Sequence, residues 1–229
     1  MSAASTATST EEEPPPGGYP RAASTTPTRA RERVSYDREL VHSVLDGTYL
    51  CHLGFVVDGR PVVLPTLHAR DGERLYLHGS TGARALRRDG LPVCVTVTRV
   101  DGLVLAKSAF HHSINYRSVV VHGTARRVTD EGRARAALDT LVNAVVAGRA
   151  ADCRPPDARE LAATAVLELE LAEVSAKVRA GGPNEDPADL GLPHWSGVVP
   201  VRTVAGRPVS AEDGDSAPEL PDYLRAFGA

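Results

Sequence analysis

The chain has 229 residues, 42% of them hydrophobic, and a formal net charge of −3. This size and composition suffice for one well-packed domain, with residues left over for a tail. The net negative charge argues against nucleic acid as a partner, because binding to a phosphate backbone normally requires a basic surface. No stretch contains the roughly 20 consecutive apolar residues that cross a bilayer, so we expect no membrane partner.

The first 33 residues are rich in Ser, Thr, Ala, Pro and Gly and include the run EEEPPPGG. They carry almost no aliphatic side chains with which to offset the entropy of ordering, so we expect residues 1–33 to be a disordered tail. They also lack the apolar core of a signal peptide, which predicts a cytoplasmic protein. Residues 205–229 are polar and Pro-containing and predict a second, loosely ordered tail, which leaves 34–204 as the domain.

The first predicted element is a helix at about 36–46, begun by Ser35 or Asp37 and ended by Gly47. We expect Asp58-Gly59 and Asp101-Gly102 to form tight hairpin turns. Two further helices are predicted at about 129–146 and 157–162. Runs rich in β-branched and aromatic residues predict strands at Thr48–Val57, Pro61–Ala69, Arg74–His78, Leu91–Val100, Leu103–Ala109, Arg117–Val128 and Ala165–Val174.

This order of elements predicts a mainly β fold. Many antiparallel strands joined by tight turns favour a closed or nearly closed β-barrel, because closure removes exposed strand edges. The few helices are then peripheral. A parallel α/β sheet is the alternative, but helices do not alternate regularly with the strands.

The stretch Val62–Arg88 reads as strand, turn, strand, the loop Gly79-Ser80-Thr81-Gly82, and a helix that carries Arg84. Pro65 cannot donate a ladder hydrogen bond, so the first strand should bulge or form an edge that exposes backbone groups to a ligand. The loop offers glycines, hydroxyls and unpaired helix-start N–H groups, and Arg84 adds a guanidinium, which together predict a phosphate site. A capped surface helix with solvated arginines explains the same residues.

The three cysteines, Cys51, Cys94 and Cys153, are widely separated in the sequence. Two of them lie in predicted strands, where a free cysteine packs as a small hydrophobe. The chain has no HExxH motif and no CxxC motif. We therefore expect no disulfide, no zinc site and no other metal.

Three histidines, His78, His111 and His112, are candidates for a role in a site. His78 ends a strand beside the Gly-rich loop, where it either donates a proton to a substrate or fixes the loop by hydrogen bonding. For His111 and His112, exposure in a loop is the simplest interpretation, and a flap over a ligand is the other. His52 is expected to be structural.

Several ungapped segments, in order, resemble the pyridoxamine-5′-phosphate-oxidase-like flavoproteins, and most closely their nitroimidazole-reductase-like branch. The segments are GRPVVLPTLHARDGERLYLHGSTGARALRR, LPVCVTVTRV, SAFHHSINYRSVVVHGTARRV and SAKVRAGGPNEDPADLGLPHWSGVVPV. The resemblance covers about Tyr36 to Val204. It implies an FMN-binding split β-barrel, antiparallel and Greek-key-like, that forms a homodimer and binds FMN at the dimer interface.

The resemblance also implies roles for particular residues. The backbone of the first flavin-contacting strand would meet the isoalloxazine, and the end of the next strand would lie beside it. Arg84 would bind the FMN phosphate, either alone or with help from Arg87 or Arg88, since Ala83 stands where the oxidases often have a first basic residue. In Asn115–Val119, Tyr116 and Ser118 would line the flavin pocket or the dimer seam. The strand residues are Val62, Val63, Leu64, Pro65, Thr66, His78, Gly79 and Ser80.

Past the last predicted strand, a Gly-rich loop carries two cations, Lys177 and Arg179, and a later segment holds the only tryptophan, Trp195. These residues either close over the flavin as cofactor-binding groups, or Trp195 anchors the C-terminal segment on the barrel wall. The tail lacks a clear counterpart of the Arg and His that bind pyridoxal phosphate in the oxidases. Pyridoxamine phosphate oxidation is therefore not the expected activity.

Two functions of different kinds remain open. The first is a flavin-dependent oxidoreductase, in which NAD(P)H drives the reduction of a small molecule such as a nitroaromatic or a quinone. The second is a flavin-binding or storage protein without turnover. A split barrel that uses haem or a deazaflavin is a further alternative. The cofactor carries the redox chemistry in a flavoenzyme, so the sequence need not show an acid, base or nucleophile.

Overall fold

The computed structural model describes residues 17–83, 89–211 and 218–228. In these ranges the α-helices are α1 (Arg38–Asp46), α2 (Glu131–Val145) and α3 (Ala158–Ala163). The strands are β1 (Val34–Ser35), β2 (Leu50–Val57), β3 (Arg60–Asp71), β4 (Arg74–Ser80), β5 (Leu91–Leu105), β6 (Ser113–Arg127), β7 (Thr164–Glu170), β8 (Glu173–Arg179) and β9 (Gly197–Pro200). No helix in the described part of the chain is long and apolar enough to cross a membrane.

Six antiparallel strands close into a barrel. Strands β2, β3 and β4 form a meander, β5 crosses back to pair with β2, and β6 and β7 complete the ring to β4. The long strands β5 and β6 extend beyond the ring, where β5 pairs with β9 and β6 with β8, which in turn pairs with β1. The predicted antiparallel barrel with peripheral helices is thus confirmed.

The core follows from the period-two pattern of the strands. Val95 and Val97 on β5 and Val119 and Val121 on β6 are fully buried inside the barrel, while the residues between them face outward. A second, smaller core lies between the barrel and α2. It consists of Ala69, Tyr76, Val128, Ala134, Ala137, Leu141 and Val166.

Local signals in the sequence account for several element ends. Asp37 caps α1 by accepting from the Leu40 N–H at 2.7 Å, and Gly47 ends that helix, as predicted. Asp58 and Gly59 have φ values of +48° and +74°, the positive values that a tight two-residue hairpin of this kind requires. The hairpin between β2 and β3 therefore forms where the sequence placed it.

The hairpin predicted at Asp101-Gly102 is wrong. Both residues lie within β5, where a bulge between Val100 and Gly102 keeps the chain extended. Strand β6 pairs along one edge of this segment and β9 along the other, and a Cβ on Gly102 would lie 3.0 Å from the Val198 side chain. Pairing on both edges outweighs the local turn preference.

The single strand predicted at Ala165–Val174 is also wrong, because this run forms both β7 and β8. Strand β7 pairs with β4 along its whole length, whereas β8 pairs with β6. The break falls at Leu171 and Ala172, where buried Leu171 donates its N–H to the Glu73 carbonyl at 2.9 Å. The break lets the chain pass from the barrel ring to the extension of β6.

The prediction of a disordered segment up to residue 33 is wrong for residues 17–33. Tyr19 is fully buried in the barrel core, and its N–H donates to the Tyr36 carbonyl at 2.8 Å. Its hydroxyl donates to a Glu73 carboxylate oxygen at 2.9 Å, and the Arg38 guanidinium lies 4.3 Å from the ring centroid. One aromatic side chain thus orders a segment whose average composition predicts disorder.

We expect Tyr19→Ala to lower the free energy of unfolding by about 3–5 kcal/mol, the usual cost of truncating a buried aromatic side chain. Tyr19→Phe keeps the ring but loses the hydroxyl contacts with Glu73 and with His42 Nε2 at 3.0 Å. Because one of these partners is charged, the change should cost about 1.5–3 kcal/mol. Urea unfolding followed by circular dichroism measures both. Equal stability of Tyr19→Ala and wild type would mean that residues 17–33 do not belong to the cooperative unit.

Candidate functional site

The candidate site begins where β3 and β4 separate. Strand β3 pairs with β2 over Arg60–Leu67 and with β4 only over His68–Asp71. Strand β4 instead follows β7 to its end at Ser80. Beyond the His68–Leu77 pair the Thr66 hydroxyl still donates to the His78 carbonyl at 3.4 Å, and then a gap opens. In the described part of the chain β3 has no strand partner along this edge. The predicted edge at Pro65 is confirmed.

The predicted residues Val62 to Thr66 form the β3 side of the gap. Val62 packs against the barrel core, whereas Val63 is 63% exposed on the outer face and Leu64 is 43% exposed. The backbone N–H and C=O groups of the free edge can bind the polar rim of a flat ligand. The exposed Val63 side chain can pack against the face of such a ligand.

The loop after β4 forms the other side of the gap. Only part of the predicted phosphate site falls within the described residues. The Thr81 hydroxyl donates to the Ala163 carbonyl at 3.1 Å, so it is used to hold α3. The Ser80 hydroxyl accepts from the Gly82 N–H at 3.0 Å, which leaves its own proton available. Arg84 lies outside the described residues, and its phosphate role stays a prediction.

His78 stands at the point of divergence, in an apolar groove of about 290 Å³ between the barrel and α2. Its Nδ1 is buried, and the imidazole makes no hydrogen bond to any described residue. Burial lowers the pKa of His78 below its ordinary value of 6.5. The side chain is therefore neutral at pH 7, with a lone pair on one ring nitrogen. The groove is also lined by Leu67, Leu138, Leu141, Val142, Val145, Val146 and Arg149.

Sequence reasoning missed this groove, although it predicted the helix at about 129–146 that covers it. The apolar face of this helix, α2, is wider than the core needs, since Val145 at its end is 36% exposed. His68 was missed as well: it is 1% exposed, its Nε2 lies 3.0 Å from the Leu45 carbonyl, and burial lowers its pKa. The signal in the sequence that could have revealed the groove is that the apolar face of α2 is broader than the part of it that packs against the core.

A second cluster lies on β6 and β8, where Tyr116 faces Arg179 and Ser118 faces Lys177 across the ladder. Arg179 donates to the Asn115 side chain and, at 3.0 Å, to the Gly182 carbonyl, so it fixes the Gly-rich loop. The ammonium of Lys177 makes no ion pair within the described ranges. The predicted residues of the two strands therefore do lie together.

The two clusters are separate within one protomer. The path from β3 to β6 crosses β2 and β5, through the neighbouring residues Pro65, His52, Thr96 and Val120. Three strand spacings, about 14 Å in total, therefore separate β3 from β6. Trp195 lies farther along the sheet, beside β9, on the order of 20 Å away. It is 66% exposed, so the alternative in which it anchors the tail on the barrel wall is wrong, and its cofactor-binding role stays a prediction.

The remaining predicted histidines lie outside the gap. His52 is exposed on the outer face opposite Pro65 rather than in the core. His112 is exposed in the loop before β6, where its Nδ1 lies 3.0 Å from the Ser108 carbonyl. The His111 ring packs edge-on against exposed Phe110 at 5.1 Å. Exposure, the simplest interpretation for both loop histidines, is confirmed for His112, whereas His111 is only partly exposed.

A larger cavity, about 490 Å³, lies at the turn between β3 and β4, far from His78 along β4. Its lining is mostly charged, and two of its carboxylates, Glu73 and Glu168, are paired with arginines. Glu168 lies 2.5 Å from Arg133 and 4.0 Å from Arg74. We therefore place the candidate site at the smaller groove and the adjoining gap.

Comparison with known proteins adds to this geometry. A family model described as pyridoxamine 5′-phosphate oxidase matches residues 37–178. The flavocytochrome Anf3 from Azotobacter vinelandii is 37% identical, with a TM-score of 0.81 over 90% of this chain and 97% of that one. The FAD and heme binding protein from Mycobacterium smegmatis is 36% identical, with a TM-score of 0.80 over 86% and 97%.

A third solved structure is similar in fold alone. It is described as a 5-nitroimidazole antibiotic resistance protein from Bacteroides thetaiotaomicron, and it is 21% identical, with a TM-score of 0.53. The match covers 63% of this chain and 86% of that one. None of the curated proteins is significantly similar to this chain.

We expect the free energy of unfolding to fall as the pH drops below about 6.5, because the unfolded chain takes up a proton at His78 before the folded chain does. The stabilisation is complete above that pH and is lost as the pH falls through the lowered pKa. Urea unfolding between pH 5 and 7 measures the slope. His78→Gln should flatten it without abolishing it, since His68 contributes in the same direction. An unchanged slope in this variant would contradict the assignment.

Proposed function

Because the chain belongs to the pyridoxamine 5′-phosphate oxidase family, we propose that it is a flavin-binding redox protein. The observation that carries the proposal is its similarity, at 36–37% identity over most of both chains, to a flavocytochrome and to an FAD and heme binding protein. The free edge of β3 beside the Gly79–Gly82 loop supports it, because this edge offers backbone groups to a flat, polar-rimmed ligand.

In this proposal the backbone of Val62–Thr66 holds the flavin ring, while the Ser80 hydroxyl and Arg84 hold its phosphate. A bound flavin supplies hydride and one-electron chemistry, and the protein supplies binding, orientation and exclusion of water. The phosphate loop predicts FMN, whereas the mycobacterial relative is described as an FAD-binding protein. The mass of the released cofactor decides between FMN, FAD and a deazaflavin.

The proposal includes haem as a second cofactor, which the imidazole of His78 would hold through a ring nitrogen. The residues of the groove fit that group: six aliphatic side chains surround an imidazole that makes no hydrogen bond to any described residue. A histidine nitrogen is a common protein ligand of haem iron. The lowered pKa favours this role over the proton-donor role predicted from sequence, because little imidazolium exists at neutral pH.

We also propose that the protein is a homodimer formed through the outer face of the sheet. That face carries four large apolar side chains that are each more than a third exposed: Leu50, Val56, Val63 and Val100. A group of exposed apolar side chains on one face is typical of an interaction surface. In a two-fold dimer, the Tyr116–Lys177 cluster of one protomer can complete the β3–β4 gap of the other. This accounts for the separation of the two clusters within one protomer.

The reaction proposed is reduction of a small molecule, such as a nitroaromatic or a quinone, at the expense of NAD(P)H. Under anaerobic conditions we expect NADPH or NADH to bleach the flavin absorption, and the oxidant to restore it. The measurement is visible absorption by stopped flow. A storage protein, the alternative function, would keep its oxidised spectrum, and that result would defeat the proposed reaction while leaving flavin binding intact.

The haem assignment has its own test. The wild-type protein, titrated with hemin, should develop a sharp Soret band, and His78→Ala should weaken binding at least about tenfold. His52→Ala is the matched control, since it removes a histidine from the outer face and should bind as wild type does. If the wild type shows flavin bands but no Soret band, the haem assignment fails and only the flavin-binding part of the proposal remains.

A further inference from the structure

Arg149 lies at the rim of the apolar groove, just after the end of α2. Gly148 has a φ of +86°, which turns the chain there, and the Arg149 N–H donates to the Val146 carbonyl at 3.1 Å. Arg149 is one of the residues that line the groove, which also contains His78. Apart from these two residues, the groove lining is aliphatic.

The guanidinium is fixed by two residues that do not line the groove. It donates to the Tyr223 hydroxyl at 3.1 Å and lies 3.4 Å from a carboxylate oxygen of Asp152. The Tyr223 hydroxyl in turn donates to the same carboxylate at 2.7 Å. Both guanidinium contacts use one terminal nitrogen, NH1, and no described residue bonds the other terminal nitrogen or Nε.

We propose that Arg149 binds a carboxylate of the ligand in this groove, and that Tyr223 and Asp152 hold its guanidinium in position. The inference rests on the proposed function, in which the ligand is haem and the carboxylates are its propionates. The unused edge of a guanidinium presents two parallel N–H donors, which match a carboxylate. A ligand with an apolar body, one imidazole-binding centre and a charged edge fits this arrangement of side chains.

The C-terminal segment thereby becomes part of the site. Tyr223 lies in the described range 218–228, within the tail that the sequence predicted to be loosely held. Tyr223 acts on the ligand only through Arg149, whose guanidinium it holds in position, and it need not touch the ligand itself. Its loss should weaken binding less than the loss of Arg149 itself.

Two probes distinguish a carboxylate contact from a structural role: hemin, and hemin dimethyl ester, whose propionates are uncharged. Arg149 is exposed, so Arg149→Ala should weaken hemin binding by about three- to fivefold and leave ester binding unchanged. Tyr223→Phe should have a smaller effect of the same kind. Arg154→Ala is the matched control, because it removes another exposed arginine, paired with Glu160 at 2.7 Å, that does not line the groove. The full-length variants are titrated by Soret absorption.

The outcomes separate the two proposals. If wild type prefers hemin to the ester and Arg149→Ala abolishes that preference, the inference stands. Equal affinity of wild type for both probes, or equal weakening of both in Arg149→Ala, overturns it and leaves the haem proposal standing. If wild type binds neither probe, the haem proposal fails and this inference fails with it.

Discussion

Strand β4 pairs along its whole length with β7 but diverges from β3, and this divergence determines where the candidate site lies. It keeps all seven pairs with β7 and only four with β3. This pairing has three consequences: the edge of β3 is left free, the two strands diverge beside His78, and a groove remains under α2. The candidate site thus depends on a missing strand pairing rather than on an added element.

The same divergence explains why one histidine lies in an apolar environment at the end of a strand. Leu67 and His78 are the first residues past the last β3–β4 pair, and α2 packs its wide aliphatic face over them. Water is excluded from the buried Nδ1 of His78, and no polar group of the described residues replaces it. Such a side chain is held by packing, so its chemistry is set by whatever ligand enters the groove.

Local features of the sequence predicted the elements whose ends are fixed locally. The Asp37 cap and the Asp58-Gly59 turn involve residues within a few positions of one another, and both formed where expected. Asp101-Gly102 has the same turn composition, yet partners distant in sequence, on β6 and β9, keep it extended. Tyr19 and the His78 groove also depend on distant contacts, which composition and periodicity do not record.

The packing of the N-terminal segment has a consequence for synthesis on the ribosome. Ser24 donates to Glu173 at 2.6 Å, and Val34 pairs with Lys177, so residues made first require β8, which is made late. Until β8 leaves the exit tunnel, the edge of β6 is uncovered and the N-terminal segment has no sheet to pack on. A nascent chain interrupted before residue 173 would therefore expose strand edges and apolar surface to chaperones and proteases.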